Sequence, residues 1–201
     1  MKIVIIGATG TIGRAVVAAL SPRHEVVPVS GHHCAITVDL ADSVSIQAMY
    51  RAVGKVDAVV NTAGLARFKP LDQLSDHDFQ LSLSNKLMGQ INLVRFGLEH
   101  VRDRGSFTLT SGVLARLPMT GSAAISMVNS GVEGFARAAA LEVPRGIRVN
   151  VISPPWVTET LLSLGMDPSQ GLPAASVARY YVESVEGTQT GVILEASEMS
   201  R

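Results

Sequence analysis

Between the apolar run Ile3-Val4-Ile5-Ile6 and a stretch in which Ile12, Val16 and Leu20 recur every fourth residue, the chain places Gly7-Ala8-Thr9-Gly10-Thr11-Ile12-Gly13. No other segment constrains the fold as strongly. A short continuous apolar run reads as a strand buried on both faces, and apolar residues four apart read as one helix face. Glycines at a strand-to-helix turn let the backbone bend tightly and approach a ligand. The unpaired N–H groups and positive dipole end of the helix then favour an anion. The turn predicts a cradle for a nucleotide phosphate; a purely structural βα turn is the alternative.

The remaining chain repeats the same alternation. Strand patterns cover Glu25 to Ser30, Ala35 to Asp39, Val56 to Val60, Ser106 to Thr110, Ile147 to Ile152 and Gly191 to Glu195. Helix patterns cover Ser43 to Val53, about Asp76 to Asp103, about Gly121 to Val143 and about Ala174 to Val185. Alternation throughout predicts an α/β fold: a Rossmann-type doubly wound parallel sheet of about seven strands, in a single domain spanning residues 1–201. Only Gly31 to Cys34 separate the second and third strand patterns, too few residues for a helical crossover. The helix between strands 2 and 3 is therefore expected to be missing. Hydrophobic residues at 47% and charged residues at 17% suit strands covered on both faces.

Charge and cysteine content narrow the partners. Seventeen basic and seventeen acidic residues cancel without any long Lys/Arg block, so neither a nucleic acid nor an anionic membrane is expected. The one cysteine, Cys34, forms no intrachain disulfide and fits a reducing compartment. No apolar run approaches the roughly 18 residues of a membrane helix, and the N-terminus carries no signal-like segment. A cytoplasmic protein with no metal site is the expectation.

Further motifs follow in a fixed order: Asp39-Leu40, Asn61-Thr62-Ala63-Gly64, Ser111, Gly131-Val132-Glu133-Gly134-Phe135, Ile147-Arg148-Val149-Asn150 and Ser153-Pro154-Pro155-Trp156-Val157-Thr158. With the glycine turn, they resemble the short-chain dehydrogenase/reductase family over nearly the whole chain. The resemblance implies that Gly7, Thr9, Gly10, Thr11 and Ile12 line a pyrophosphate. It implies Asp39 and Leu40 at the adenine, Asn61, Ala63 and Gly64 at the adenine ribose, and Pro154, Val157 and Thr158 beside the nicotinamide. The end of the second strand offers Ser30, Gly31, His32 and His33 and no carboxylate for the ribose hydroxyls, which favours NADP over NAD, with His32 as a phosphate contact. Structural alternatives stand for Asn61, which can tie neighbouring strands, and for Asp39, which can close an Asx turn.

The reaction centre departs from the family. Its Tyr-x-x-x-Lys pair aligns with Ile125 and Asn129, and neither Tyr50, Tyr180 nor Tyr181 has a lysine four residues on. Isoleucine has no proton to give, and neutral asparagine cannot bias a pKa by charge. Where the family keeps an asparagine, three residues before Gly89, this chain has Lys86. Its ammonium would supply the missing positive charge while Ser111 polarises a substrate oxygen. The alternatives are a Lys86 that snorkels to solvent and a Ser111 that satisfies local backbone groups. Helix packing is the favoured reading for Tyr180 and Tyr181; the alternative is that one of them reaches in from the substrate side. The segment from Glu159 to Pro173, with Leu161, Leu162, Leu164 and Met166, reads as a loop that covers an apolar pocket or packs on another subunit. The two long helices, rich in small residues, suit a homodimer or homotetramer.

Three functions follow: an NADP-dependent oxidoreductase acting on a carbonyl or alcohol through a non-standard proton relay, an inactive NADP(H)-binding or sensor protein, and a structural subunit. Retention of the glycine turn, Asp39 and Thr158 argues against the third.

Overall fold

The computed structural model describes residues 1–197. Seven parallel strands form one sheet in the order β3-β2-β1-β4-β5-β6-β7: β1 (Lys2–Ile6), β2 (Glu25–Ser30), β3 (Ile36–Thr37), β4 (Val56–Asn61), β5 (Val101–Thr110), β6 (Arg148–Ser153) and β7 (Ile193–Glu195). The chain steps outward from β1 to β3, then returns to the other side of β1 as β4. Ligands of such sheets bind at this reversal, outside the carboxyl ends of the strands.

Helices cover both faces. On one, α1 (Thr11–Leu20) and α7 (Ala174–Glu186) pack together over Ile3, Ile5, Ala58, Val60 and Ile152. On the other, α2 (Ser43–Val53), α4 (Gly89–Gly97) and α5 (Ala123–Glu142) close over Val4, Val59, Phe107, Leu109 and Val151. Alternate residues of each strand thus enter different cores, as period-two geometry demands. Helix α2 begins where Asp42 accepts a hydrogen bond from the Val44 N–H, and it ends at Gly54, whose φ of 75° stops the helix. No helix among the described residues is long and apolar enough to cross a membrane.

The helix between β2 and β3 is missing, as the short spacing implied. Residues 31–35 form an irregular loop containing His33 at φ 63°, and the parallel pairing is confined to Val29 with Ile36 and Ser30 with Thr37. Strand β2 ends at Ser30 and Asp39 already turns away in an Asx turn, so β3 is shorter than the pattern from Ala35 to Asp39 suggested.

One long helix from Asp76 to Asp103 does not form. In its place stand α3 (Asp76–Ser82), a π-helical segment (Leu83–Met88) and α4, which stops at Gly97; Val101 already belongs to β5, opposite Val56. Gly97 packs too closely for any side chain, since a Cβ there would lie 2.5 Å from the Tyr50 hydroxyl and 2.6 Å from Phe107. The π segment inserts extra backbone into the helix and rotates the residues it carries, an arrangement common at functional sites. A second departure is the segment from Glu159 to Pro173. It contains most of α6 (Thr158–Ser163) and a 3-10 turn (Pro168–Gln170), with Leu161 buried but Leu162, Leu164 and Met166 exposed.

Candidate functional site

The glycine turn lies at the sheet reversal. Gly7 adopts φ 82°, and a Cβ on it would meet Thr62 Oγ1 at 2.7 Å and the Ala63 nitrogen at 2.9 Å, so the turns after β1 and β4 touch. A Cβ on Gly13 would lie 1.9 Å from the Gly7 carbonyl oxygen. Helix α1 can therefore sit against the turn only if residue 13 is glycine. Gly10 caps α1 without any side-chain hydrogen bond, so the first N–H groups of the helix, from Thr11 onward, face outward unpaired by side chains. The Arg14 guanidinium donates to the Thr9 carbonyl at 2.7 Å and braces the turn. These features fit a bound pyrophosphate.

The flanking residues of the expected nucleotide site fall along the same edge. Ser30 donates to the His32 carbonyl, which fixes the β2–β3 loop; Gly31, His32 and His33 are exposed. Asp39 is exposed and closes an Asx turn by accepting from the Ala41 N–H at 2.9 Å, while Leu40 is buried under Gly89. Asn61 is buried and spends its amide on its own loop, donating to the Ala63 carbonyl at 2.7 Å and accepting from the Ala63 N–H. At the far end Pro154 accepts from the Val113 N–H at 2.9 Å, and Val157 pairs with Leu172 across an isolated bridge. Thr158 Oγ1 is buried with no hydrogen-bond partner. Such an orphan is costly unless a ligand engages it, and it stands where the resemblance implies the nicotinamide carboxamide.

Between these ends lies a cavity of about 340 Å³, lined among others by Ile12, Gly64, Lys86, Ser111, Ile125 and Asn129. The structure thus brings both substituted positions and both candidate catalytic residues to one cavity. Lys86 is half-buried, and its stem lies against Gly64, where a Cβ would meet Lys86 Cγ at 3.0 Å. Desolvation lowers the Lys86 ammonium to about 8, with no compensating partner. Tyr181 and Tyr180 do not line the cavity: Tyr181 bonds Thr110 Oγ1 at 2.7 Å inside the core, and Tyr180 donates to the Ser197 carbonyl.

Two residues with a bearing on this site were given no role from the sequence alone. Ser111 donates its hydroxyl hydrogen to Glu133 Oε1 at 2.9 Å, and Glu133 is only 4% exposed, with Arg137 at 3.4 Å from its other oxygen. Ile125, Asn129 and Glu133 are four apart and form one stripe of α5 facing the end of β5. Asn129 stands against Gly112 and Glu133 against Ser111. A glutamate in phase with two substituted positions was a usable signal. Gln90, wholly buried, donates to the carbonyls of Lys86 and Thr110 and accepts from the Thr110 N–H at 2.8 Å. It fastens the π segment to Thr110, the last residue of β5, just before Ser111.

This fold, with its cleft at the strand reversal, is of the doubly wound α/β type. A family model described as enoyl-(acyl carrier protein) reductase matches residues 7–191, and the chain belongs to the short-chain dehydrogenase/reductase family. Protein lin1944 of Listeria innocua has a crystal structure that superposes with a TM-score of 0.93 at 42% identity, covering 98% of this chain and 100% of that one. The D-threitol dehydrogenase of Mycolicibacterium smegmatis is 30% identical over 70% of this chain and 57% of its own length. The hydroxynaphthalene reductase of Aspergillus fumigatus is 32% identical over 56% of this chain and 41% of its own. The matches thus span about half the length of these two curated relatives.

Proposed function

We propose that the chain binds NADP(H) along the cleft and interconverts a small alcohol and its carbonyl compound, with Ser111 and Lys86 standing in for the usual tyrosine and lysine. The observation that carries this reading is the pairing of two unsatisfied ends: uncapped N–H groups at α1 and the orphaned Thr158 hydroxyl, with the cavity between them. The end of β2 supplies no carboxylate, which supports NADP over NAD. A small-chain dehydrogenase solved in complex with NADPH shares the fold at 22% identity.

The dinucleotide supplies or accepts hydride when bound. The chain's own residues manage the proton. Because Ser111 gives its hydrogen to Glu133, its lone pairs are free to accept a hydrogen bond from a substrate hydroxyl. The Lys86 ammonium stabilises negative charge on the same oxygen. As the substrate proton passes to Ser111, Ser111 passes its own to the Glu133 carboxylate. Arg137 holds the other carboxylate oxygen at the protein surface, and the proton leaves from protonated Glu133 to solvent water.

Melting the chain with increasing NADPH and NADH tests the cofactor. A ligand at one hundred times its Kd stabilises the native state by about 2.7 kcal/mol, roughly 5–10 °C for a chain of this size. NADPH is expected to act at lower concentration than NADH; no shift with either at millimolar concentration overturns the reading. The second reading, an NADP(H) sensor, is favoured by Ile125 and Asn129 at the reaction centre. Intact NADPH binding without NADPH oxidation across a panel of aldehydes and ketones would select it. We further expect a cytoplasmic homodimer or homotetramer joined through α4 and α5, where Met127 and Leu141 are exposed.

A further inference from the structure

The chain has four lysines, and three of them have acceptors. Lys2 donates to the Val53 carbonyl at 2.8 Å, Lys55 to the Glu99 carbonyl at 2.5 Å, and Lys69 pairs with Asp78 at 3.0 Å. Among the described residues Lys86 has none, and it is the only charged residue lining the cavity. A second observation points to the same place. Asn129 is 2% exposed and lines the cavity, its amide nitrogen makes only a long 3.5 Å contact to the Gly112 carbonyl, and its Oδ1 is buried with no donor at all.

An unpaired cation and an unpaired acceptor sharing one small cavity are costly to keep dry. Both costs are relieved by a ligand that carries an anionic oxygen for the ammonium and a hydrogen-bond donor for the amide oxygen. The other lining groups limit what else the ligand contains. Val113, Leu114, Ile125, Trp156 and Val157 give the cavity an apolar wall, and no lining carboxylate is present to receive a second cation.

We propose that the substrate is a small 2-hydroxy carboxylate or its 2-oxo partner, held by its carboxylate on Lys86 and by its neighbouring polar group on Asn129. The inference rests on the reading of the cleft as an oxidoreductase site and deepens it. In this compound class the carboxylate and the C2 oxygen lie side by side, so one ammonium serves both. Lys86 can thus anchor the acid and stabilise charge on the reacting oxygen. In the bound alcohol the hydroxyl hydrogen is shared between Asn129 Oδ1, which only accepts a hydrogen bond, and Ser111 Oγ, which takes the proton, and the short carbon chain meets the apolar wall.

Oxamate is a suitable probe, because it carries a carboxylate, an adjacent carbonyl oxygen and an N–H donor and takes no hydride. Melting curves and calorimetric titrations of the full chain are run with and without saturating NADPH, using oxamate, propanoate (no neighbouring polar group) and acetamide (no carboxylate). Oxamate is expected to bind several-fold more tightly than propanoate, with no shift from acetamide. Lys86→Met should weaken oxamate binding at least tenfold, and Lys86→Arg should restore part of it. Asn129→Leu should remove the preference of oxamate over propanoate. A cooperative melt in each variant shows that it is folded. The proposal is overturned if oxamate binds wild type and Lys86→Met equally, if acetamide matches oxamate, or if no oxamate binding is detected in either state. If NADPH fails to bind, the cofactor reading falls while the titration without cofactor still decides this one.

Discussion

The two ends of the cleft obey different rules. At the phosphate end, backbone geometry does the work: Gly7 sits at φ 82°, and Gly13 leaves no space for a Cβ against the Gly7 carbonyl. At the reaction end, side chains carry the chemistry in the function proposed above. By the family resemblance Ile125 and Asn129 fall where the usual acid and its lysine stand, and in the proposed function Lys86 reaches the same cavity from the π segment. Backbone sites tolerate little variation because a single atom blocks the close approach. A reaction centre can be rebuilt from a neighbouring element provided the required charge still reaches the same cavity.

The contrast makes distinct demands on mutants. The largest effect is expected for Gly13→Val, which drives side-chain atoms into the Gly7 carbonyl that already lies 1.9 Å from a bare Cβ. Forcing such an overlap costs about 3 kcal/mol or more, a fall in melting temperature of roughly 6–12 °C, together with loss of dinucleotide binding. Retained NADPH affinity in this variant would break the comparison at its phosphate end. Next comes Glu133→Ala, which strips the Ser111 hydroxyl of its buried acceptor. The expected loss is about 2 kcal/mol in denaturant unfolding, with cofactor affinity kept.

Lys86→Met should act in the opposite sense. In the folded chain the Lys86 pKa is lowered to about 8 from 10.5. Below pH 8 the group is charged in both states and the fold bears the desolvation cost. Between pH 8 and 10.5 the folded state sheds its proton first and stability recovers. The variant should therefore be more stable than wild type at pH 7, by on the order of 2 kcal/mol, and the difference should vanish as pH rises toward 10.5. A gain independent of pH would show that packing, not charge, is responsible. The smallest effect is expected for Thr158→Val: about 1 kcal/mol gained in the free protein, because an orphaned hydroxyl is removed, and NADPH binding weakened several-fold. Effects of the same sign in both measurements would argue that Thr158 does not meet the cofactor.

The layout of strands and the glycine turn were legible in the sequence because both rest on local pattern. Apolar runs mark β1, β4 and β6, and the short spacing after Ser30 betrays the missing helix. The break in the stretch from Asp76 to Asp103 was hidden, because the insertion of π-helical backbone leaves the apolar spacing looking continuous. Val101 fits that helical stripe yet pairs with Val56 in the sheet. At the site, positions could be inferred from resemblance, but partnerships could not. That Ser111 bonds Glu133, and that Gln90 ties Lys86 to β5, are long-range contacts carrying no local signature. The Asx turn at Asp39 matches the structural role raised for it as an alternative, whereas the Asn61 amide bonds its own loop rather than tying neighbouring strands.

The central claim is that the dinucleotide cradle is intact although the usual acid is gone. Its most direct test is the titration of NADPH into wild type and Gly13→Val, followed by the melting transition in parallel. The account predicts a saturable rise of several degrees for wild type and none for the variant. A wild-type transition that ignores NADPH at millimolar concentration would contradict it.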